Sequence, residues 1–328
     1  MIPKLVWMDA TTLAEAHAAL DGSTMIKAGG IDVMDRLKEG LDRPARLLNI
    51  RNVAGLDTLR DDDTGLAVGP LVTLARLADQ KVVRDRYRAI AEAAALAATP
   101  QIRNVATAGG NLLQRPRCWY FRNEQFPCFK KGGAECFAQE GENEYHAIFA
   151  NDTCAAVHAS SLAVALVAFN AAIDLAGPKG TRTVPLEGFF TAASVDVERE
   201  NALALDEILT AIRVPRASFA TASAYVKIAE KESEDWPLAE VAVVLDRQGP
   251  VAGRASIVLG SAAHTPLRSK AAEAVLTGKT VTEELAAAAG RAAVEGATPL
   301  SGNAYKIPIF ETAVKRAILA AAGRKGGT

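Results

Sequence analysis

All four cysteines of this 328-residue chain lie between Cys118 and Cys154. The stretch around them, 115–150, is polar, aromatic and glycine-containing, with little apolar periodicity. A segment without a repeating apolar face has nothing to bury as an amphipathic helix or strand. It orders only around a staple, and the thiols are the staple on offer. Two disulfides, one four-ligand metal site or four inert buried thiols are the possible readings. The gaps are C-x9-C, C-x7-C and C-x17-C, whereas structural zinc sites bring ligands in close C-x2-4-C pairs. Disulfides need an oxidising compartment, and the start M-I-P-K-L-V-W-M-D has neither an apolar export core nor twin arginines. No iron–sulfur spacing rule matches. Charge adds one sign. Between Gln101 and Lys131 six cations (Arg103, Arg115, Arg117, Arg122, Lys130, Lys131) face a single acid, Glu124. A four-thiolate iron–sulfur centre is a net anion that cations stabilise, whereas disulfides have no such need. Spacing and charge favour a metal and leave inert thiols and disulfides open.

The length predicts two or three domains. With 49% hydrophobic residues a large core forms without help from a metal or disulfide. A net charge of −1 argues against a nucleic-acid-binding protein. The richest apolar run, Leu162 to Ala176, is interrupted by Asn170 and Asp174 and is too short to span a bilayer. The expectation is a soluble protein without membrane insertion, cytoplasmic unless a signal-bearing partner carries it to the periplasm.

Along the chain, residues 1–55 read as a small α/β unit. Helix Thr11–Leu20, capped by Thr11 or Thr12, is followed by strand Thr24–Ala28, the pair Gly29-Gly30, helix Asp32–Glu39 and strand Leu47–Ile50. Arg60 to Gly65 is a polar hairpin tip. Strands Leu66–Gly69 and Leu71–Leu74, helix Leu74–Asp79 and an alanine-rich helix Tyr87–Ala98 come next, the last stopping before Thr99-Pro100. Beyond the cysteines lie helix Ser160–Phe169, a hairpin of Ala171–Leu175 with Arg182–Pro185, and strand Ile208–Val214. Three strands follow the boundary at Pro215-Arg216: Ala222–Ile228, Ala239–Leu245 and Arg254–Leu259. Three helices close the chain. One starts at Thr265-Pro266, one carries a capping box of Thr280 with Glu283, and one runs from Pro308 to Ala322 before Gly323. Strands then helices predict a separate α+β domain over 218–328.

Few motifs carry chemistry. G-x-G-x-x-G and H-E-x-x-H are absent, Gly278-Lys279-Thr280 lacks the upstream glycine of a phosphate loop, and the four histidines are scattered. Two glycine pairs remain. Met25-Ile26-Lys27-Ala28-Gly29-Gly30-Ile31-Asp32-Val33 leaves a strand and enters a helix, a turn whose N–H groups and lack of side chains suit a phosphate. Thr107-Ala108-Gly109-Gly110-Asn111 offers a second backbone surface with a hydroxyl and an amide. Each alone is more often a plain turn; together they fit the two ends of one extended, phosphate-bearing cofactor. The aromatic-basic run Arg117 to Arg122 reads as packing around a cluster rather than base stacking, because the chain is neutral.

On these residues the chain resembles the FAD-binding middle subunit of xanthine-dehydrogenase-type molybdenum hydroxylases. It is similar to the branch with an extra [4Fe–4S] cluster, the type of 4-hydroxybenzoyl-CoA reductases and periplasmic aldehyde oxidoreductases. Lys27 to Val33 resembles the family's A-G-G-T-D-L loop for the FAD pyrophosphate, with Ile31 in place of Thr, and Thr107 to Asn111 its second FAD segment. The run G-N-L-L-Q-R-P-R-C-W-Y-F-R matches the cluster-bearing branch, with Cys118, Cys128, Cys136 and Cys154 on its ligand positions. Ala224 to Lys227, Asp235 to Leu238 and Pro299 to Tyr305 resemble segments of its C-terminal domain. Two positions depart from the pattern: H-P-S-D is His158-Ala159-Ser160-Ser161, and the arginine two residues after Lys227 is Ala229.

The resemblance implies an α+β fold. A PCMH-type, vanillyl-alcohol-oxidase-like FAD domain would cover 1–216, with lobes 1–55 and 56–216 and a cysteine-bearing insertion at 115–154. A CO-dehydrogenase-flavoprotein-type C-terminal domain would cover 218–328. It implies FAD held by Met25 to Val33, Thr107, Gly109, Gly110, Asn111, Ser160, Ser161 and Lys227, and a [4Fe–4S] cluster on the four cysteines. No catalytic side chain is implied. The partners would be a large subunit with the molybdenum cofactor and a small subunit with two [2Fe–2S] clusters, and this chain would pass their electrons to an external acceptor. The alternative from another class is a stand-alone PCMH-type flavin oxidase.

Overall fold

The computed structural model describes residues 4–218, 220–231 and 234–323; 324–328 of the expected C-terminal domain lie outside them. The first 50 residues form β1 (Val6–Asp9), α1 (Leu13–Ala19), β2 (Thr24–Lys27), α2 (Ile31–Lys38) and β3 (Arg46–Asn49). Their sheet is parallel, in the order β1-β3-β2, because α1 and α2 serve as the crossovers that parallel strands require. Thr12 accepts from the Glu15 N–H at 3.1 Å while the Glu15 carboxylate receives the Thr12 N–H, a capping box that settles where α1 starts.

The second unit is an antiparallel sheet in the order β4-β5-β8-β6-β7, from β4 (Leu59–Asp62), β5 (Gly65–Val68), β6 (Ala172–Gly177), β7 (Gly180–Pro185) and β8 (Ile208–Pro215). Its helices are α3 (Leu74–Asp79), α4 (Lys81–Arg86), α5 (Arg88–Ala95), α6 (Pro100–Arg103), α7 (Ala108–Leu112), α8 (Trp119–Arg122) and α9 (Ser161–Ala168). Every residue of α9 is buried, which explains why its sequence is apolar on all sides. The third unit is the sheet β9 (Thr221–Ile228), β10 (Ala239–Gln248), β11 (Val251–Gly260) and β12 (Leu267–Arg268), with β13 (Lys279–Thr280) also on β11. Helices α10 (Lys270–Leu276), α11 (Glu283–Ala293) and α12 (Lys306–Ala321) cover one face.

The other face of that sheet packs on α9 and α5. Ala242, Val244 and Val258 therefore join the core of the second unit, while Val241, Val243 and Leu245 join α10 to α12. Strand alternation sends successive residues to opposite faces, and both faces are dry. This is why 239–245 reads as an unbroken apolar run with one exception, Glu240.

Four expected elements differ. Leu71–Leu74 is not a strand. Its neighbours Gly69-Pro70 break the ladder, and its backbone instead bonds Leu56 and the 106–108 loop, touching β structure only at the Thr73–Thr107 bridge. The Tyr87–Ala98 helix is shorter, 88–95, and α4 precedes it. The helix expected at Thr265 starts at Lys270, capped by Ser269, because Leu267 and Arg268 pair with β11. Thr280 is not a cap: it lies in β13, and Thr282 caps α11 by accepting from the Leu285 N–H.

Burial of histidine has a consequence for stability. His158 and His264 are 7% and 4% exposed, and burial holds their imidazoles at about 3 and about 4. Each is protonated in the unfolded chain below about 6.5 and stays neutral in the folded one. The unfolded state thus binds more protons as pH falls from about 6.5 towards 4, and stability falls with it. Each should cost roughly 1.4 kcal/mol per pH unit over that window. Urea midpoints measured across it should fall steeply, and His158→Phe should flatten the slope; an unchanged slope would contradict this account.

Candidate functional site

Where the three units meet, a cleft of about 530 Å³ opens, within the size range of small-molecule and cofactor sites. One wall is the turn from β2 into α2: Met25, Ile26, Ala28, Gly29, Gly30, Ile31, Asp32 and Val33 all line it. Gly30 takes φ +87°, the left-handed region that glycine enters freely. It caps α2 with no side-chain bond, so the first-turn N–H groups of that eight-residue helix are left for a ligand. A second part of the lining is the start of α7: Thr107, Gly109, Gly110 and Asn111. Thr107 Oγ1 accepts from the Gly110 N–H at 3.1 Å and so shapes this turn. A side chain at Gly29 would sit 2.3 Å from the Val105 carbonyl oxygen. The glycine thus lets the two walls approach each other, a different reason from the phosphate contact that the sequence suggests.

Ser161 and Lys227 also line the cleft. Two expected residues do not. Lys27 turns back over the first sheet, its Nζ 3.3 Å from Asn49 Oδ1 and 5.4 Å from the Trp7 ring centre. Ser160 caps α9, accepting from the Ala163 N–H and donating to Asn111 Oδ1 at 2.7 Å. Conversely, Arg117 and Trp236 line the cleft with the guanidinium 5.0 Å from the ring centre. The sequence offered Arg117 only as a cation near the thiols; pairing it with a tryptophan in the third unit needs the fold.

Asp32 joins this cleft to the cysteine segment. Its Oδ1 receives Arg122 Nη2 at 2.6 Å and Arg117 Nη2 at 3.0 Å, and its Oδ2 receives the Arg115 backbone N–H at 3.1 Å. Burial opposes its ionisation, but Arg122 and Arg117 prevail and hold the carboxyl below the usual range. Glu200 plays the same part for Arg115 and Lys130, with contacts of 2.9–3.1 Å. The local excess of cations in the sequence is therefore answered by carboxylates from α2 and by that of Glu200. It is not a free positive field around the thiols.

The four cysteines do converge. Cys118, Cys128, Cys136 and Cys154 line one apolar pocket with Tyr120, Phe121, Phe137 and Ala156, and none is in a disulfide. The free space between them, about 10 Å³, is roughly that of one water. Among the described residues no group of three or more His, Cys, Asp or Glu side chains stands ready to hold a single metal ion. Cys154 hydrogen-bonds Cys136 and lowers its thiol to about 6, while the same bond and burial push Cys154 up. Burial raises Cys118 to about 11, and His146 Nε2 lies 3.2 Å from its sulfur. Four thiols facing one dry pocket form a donor set that suits an iron–sulfur cluster in chemistry.

The segment is also held by amides and an amine. Asn143 Nδ2 reaches the carbonyls of Ala138 and Gly141, Asn151 Nδ2 those of Ala147 and Thr298, and Asn303 Nδ2 those of His146 and Ala147. Lys306, fully buried, donates to the carbonyls of His146 and Ser261 at 2.9 and 2.7 Å. Trp119, Tyr120, Phe126, Phe137, Tyr145 and His146 stack edge-on among themselves, so the aromatic run is packing, as the sequence suggests.

Among the described residues no helix is long and apolar enough to cross a membrane. Residues 3–217 match the family described as the FAD binding domain in molybdopterin dehydrogenase, and 224–321 match the CO dehydrogenase flavoprotein C-terminal domain. The chain is 35% identical over 254 residues to the aldehyde oxidoreductase FAD-binding subunit PaoB of Escherichia coli K12, covering 76% of this chain and 78% of that one. It is 30% identical to the carbon monoxide dehydrogenase medium chain of Hydrogenophaga pseudoflava, over 98% of both. The solved structure of carbon monoxide dehydrogenase from that organism superposes with a TM-score of 0.78 at 29% identity, covering 99% of both chains. The cleft between the units, its two glycine turns and these likenesses agree: the chain belongs to the FAD-binding subunits of the xanthine-dehydrogenase-type molybdenum hydroxylases.

Proposed function

We propose that this chain is the FAD-holding electron-transfer subunit of a molybdenum hydroxylase, organised as an FAD domain over 1–216 and a C-terminal domain over 218–328. The observation that carries the reading is the cleft lined by two glycine turns, one of them an uncapped helix start. Bound there, FAD would supply exchange between one-electron and two-electron carriers. The residues then have simple tasks. The turn at 28–33 receives the diphosphate on backbone N–H groups, and Thr107 to Asn111 hold the other end of the cofactor. Arg117, stacked on Trp236, closes the cleft between the first and third units. No side chain need exchange a proton with a substrate.

We further propose that Cys118, Cys128, Cys136 and Cys154 hold a [4Fe–4S] cluster, which would supply a one-electron station beside the flavin domain. Convergence on one apolar pocket, the absence of disulfides and the resemblance of residues 110–122 to the cluster-bearing branch support this assignment. Arg117 lines the cleft and Cys118 the thiol pocket, so the two sites are chain neighbours. The partners proposed are a large subunit with the molybdenum cofactor, where an aldehyde, heterocycle or aromatic acyl-CoA would react, and a small subunit with two [2Fe–2S] clusters. The relatives named as medium chain and FAD-binding subunit support an assembly of this kind.

Three outcomes test the reading. Gly29→Val should strip FAD from the purified chain, because its branched side chain meets the Val105 carbonyl and forces the walls apart; full flavin occupancy at normal affinity would refute the site. Cys128→Ser should lose iron, measured by chelation, and increase proteolysis within 115–154 while flavin content holds. Iron content unchanged from the parent chain would end the cluster assignment. Finally, substrate should reduce the flavin of the isolated chain slowly or not at all, and rapidly once the molybdenum and [2Fe–2S] subunits are added. Rapid reduction without partners would favour a flavin oxidase instead.

A further inference from the structure

Glu240 is the one charged residue in the apolar run of β10, and it is 1% exposed. Alternation turns it towards α9, to the same side as Ala242 and Val244. There its Oε1 is hydrogen-bonded to the Ser161 hydroxyl and to the Tyr225 hydroxyl, and its Oε2 lies 3.4 Å from Ser261 Oγ. Space for the carboxyl comes from Gly260, where a side chain would stand 2.5 Å from Oε2. Ser161 in turn lines the cofactor cleft. A single hydroxyl thus separates a fully buried carboxyl from the place assigned to FAD.

We propose that Glu240 is a positioning residue for the cofactor, and that its protonation state decides whether the Ser161 hydroxyl presents a donor or an acceptor to the cleft. The inference rests on the FAD reading above. An ionised carboxylate only accepts, so Ser161 must give it its one proton and turn lone pairs to the cleft. A neutral carboxyl has an O–H of its own to give to Ser161 Oγ, which frees the serine proton to point at the ligand. Tyr225 donates to the carboxyl in both forms. FAD carries donors in its ring N3–H and hydroxyls and acceptors in its phosphate and ring carbonyl oxygens; with an acceptor oxygen placed against Ser161, the neutral form of Glu240 is the one that binds better.

The groups facing Glu240 set where the change falls. From β9 come Tyr225 and Lys227, from α9 Ser161, from the end of β11 Ser261, from α12 Lys306, and from α5 Glu92, whose carboxylate accepts the Tyr225 N–H at 2.8 Å. Lys227 and Lys306 favour the ionised carboxylate. Burial opposes them and prevails, which raises the carboxyl above the ordinary range, and burial brings Lys306 itself down to about 7. Cofactor affinity should accordingly fall as pH rises through the raised Glu240 ionisation, and bound FAD should raise that ionisation further.

The test is the dissociation constant of oxidised FAD from the full-length chain, followed by flavin fluorescence from mildly acidic to mildly alkaline pH. The parent chain should bind roughly three- to tenfold more weakly on the alkaline side, the worth of one hydrogen bond. Glu240→Gln, neutral at every pH, should keep the tight acid-side affinity throughout. Ser161→Ala should bind at the weaker level at every pH, since the carboxyl can no longer reach the ligand. Should Glu240→Gln fail to fold, Ser161→Ala decides alone: a variant that retains the parent's pH dependence overturns the proposal. So does a parent chain that binds FAD with no such dependence. A parent chain that binds no FAD at any pH removes the FAD reading itself, a separate result.

Discussion

The carboxylate of Asp32 is the contact on which the site depends. It sits in the first turn of α2, on the wall of the cleft, and gathers Arg122, Arg117 and the Arg115 N–H from the cysteine segment. A buried carboxylate with one partner removed would be a costly uncompensated charge. Asp32 therefore ties the glycine turn to residues 115–122, the start of the cysteine segment. That links two features which the sequence places some 85 residues apart, a separation read off the chain as Asp32 and Arg117.

A second constraint lies under the first. The stretch 115–150 has no periodic face, so its backbone polar groups find partners outside regular structure. Asn143, Asn151, Asn303 and Lys306 supply much of that, and Asn303 and Lys306 belong to the third unit. Further bonds from Ile148, Phe149 and His158 reach Ala262 and Ala263. The C-terminal unit thus does more than append a layer: it holds the thiol loop from behind while Asp32 and Glu200 hold it from the front.

The third sheet shows how the units share a core. Its strands are buried on both faces, by α9 and α5 on one side and by α10 and α12 on the other. A charged residue in such a strand stays only if it is hydrogen-bonded, and Glu240 is, through three hydroxyls. It brings a titratable group next to a cleft whose lining is otherwise mostly apolar.

Much of this was readable in the sequence. Thr12 marks the start of α1 and Gly323 the end of α12, since those signals act within one turn of chain. The glycine turns and the four thiols also stood out locally, and the fold brings each set together. What the sequence could not show were relations between distant segments. It gave six cations near the thiols but not that Asp32 and Glu200 neutralise four of them. It offered Lys27 and Ser160 for the cleft, yet the first turns towards Asn49 and the second caps a helix. Residues 265–268 and Thr280 carried helix-start signals that pairing with β11 overrode, because a free sheet edge offers those N–H groups better partners than a helix turn. Local propensity is written residue by residue. Arg117 on Trp236, and Glu240 behind Ser161, exist only once three sheets have packed.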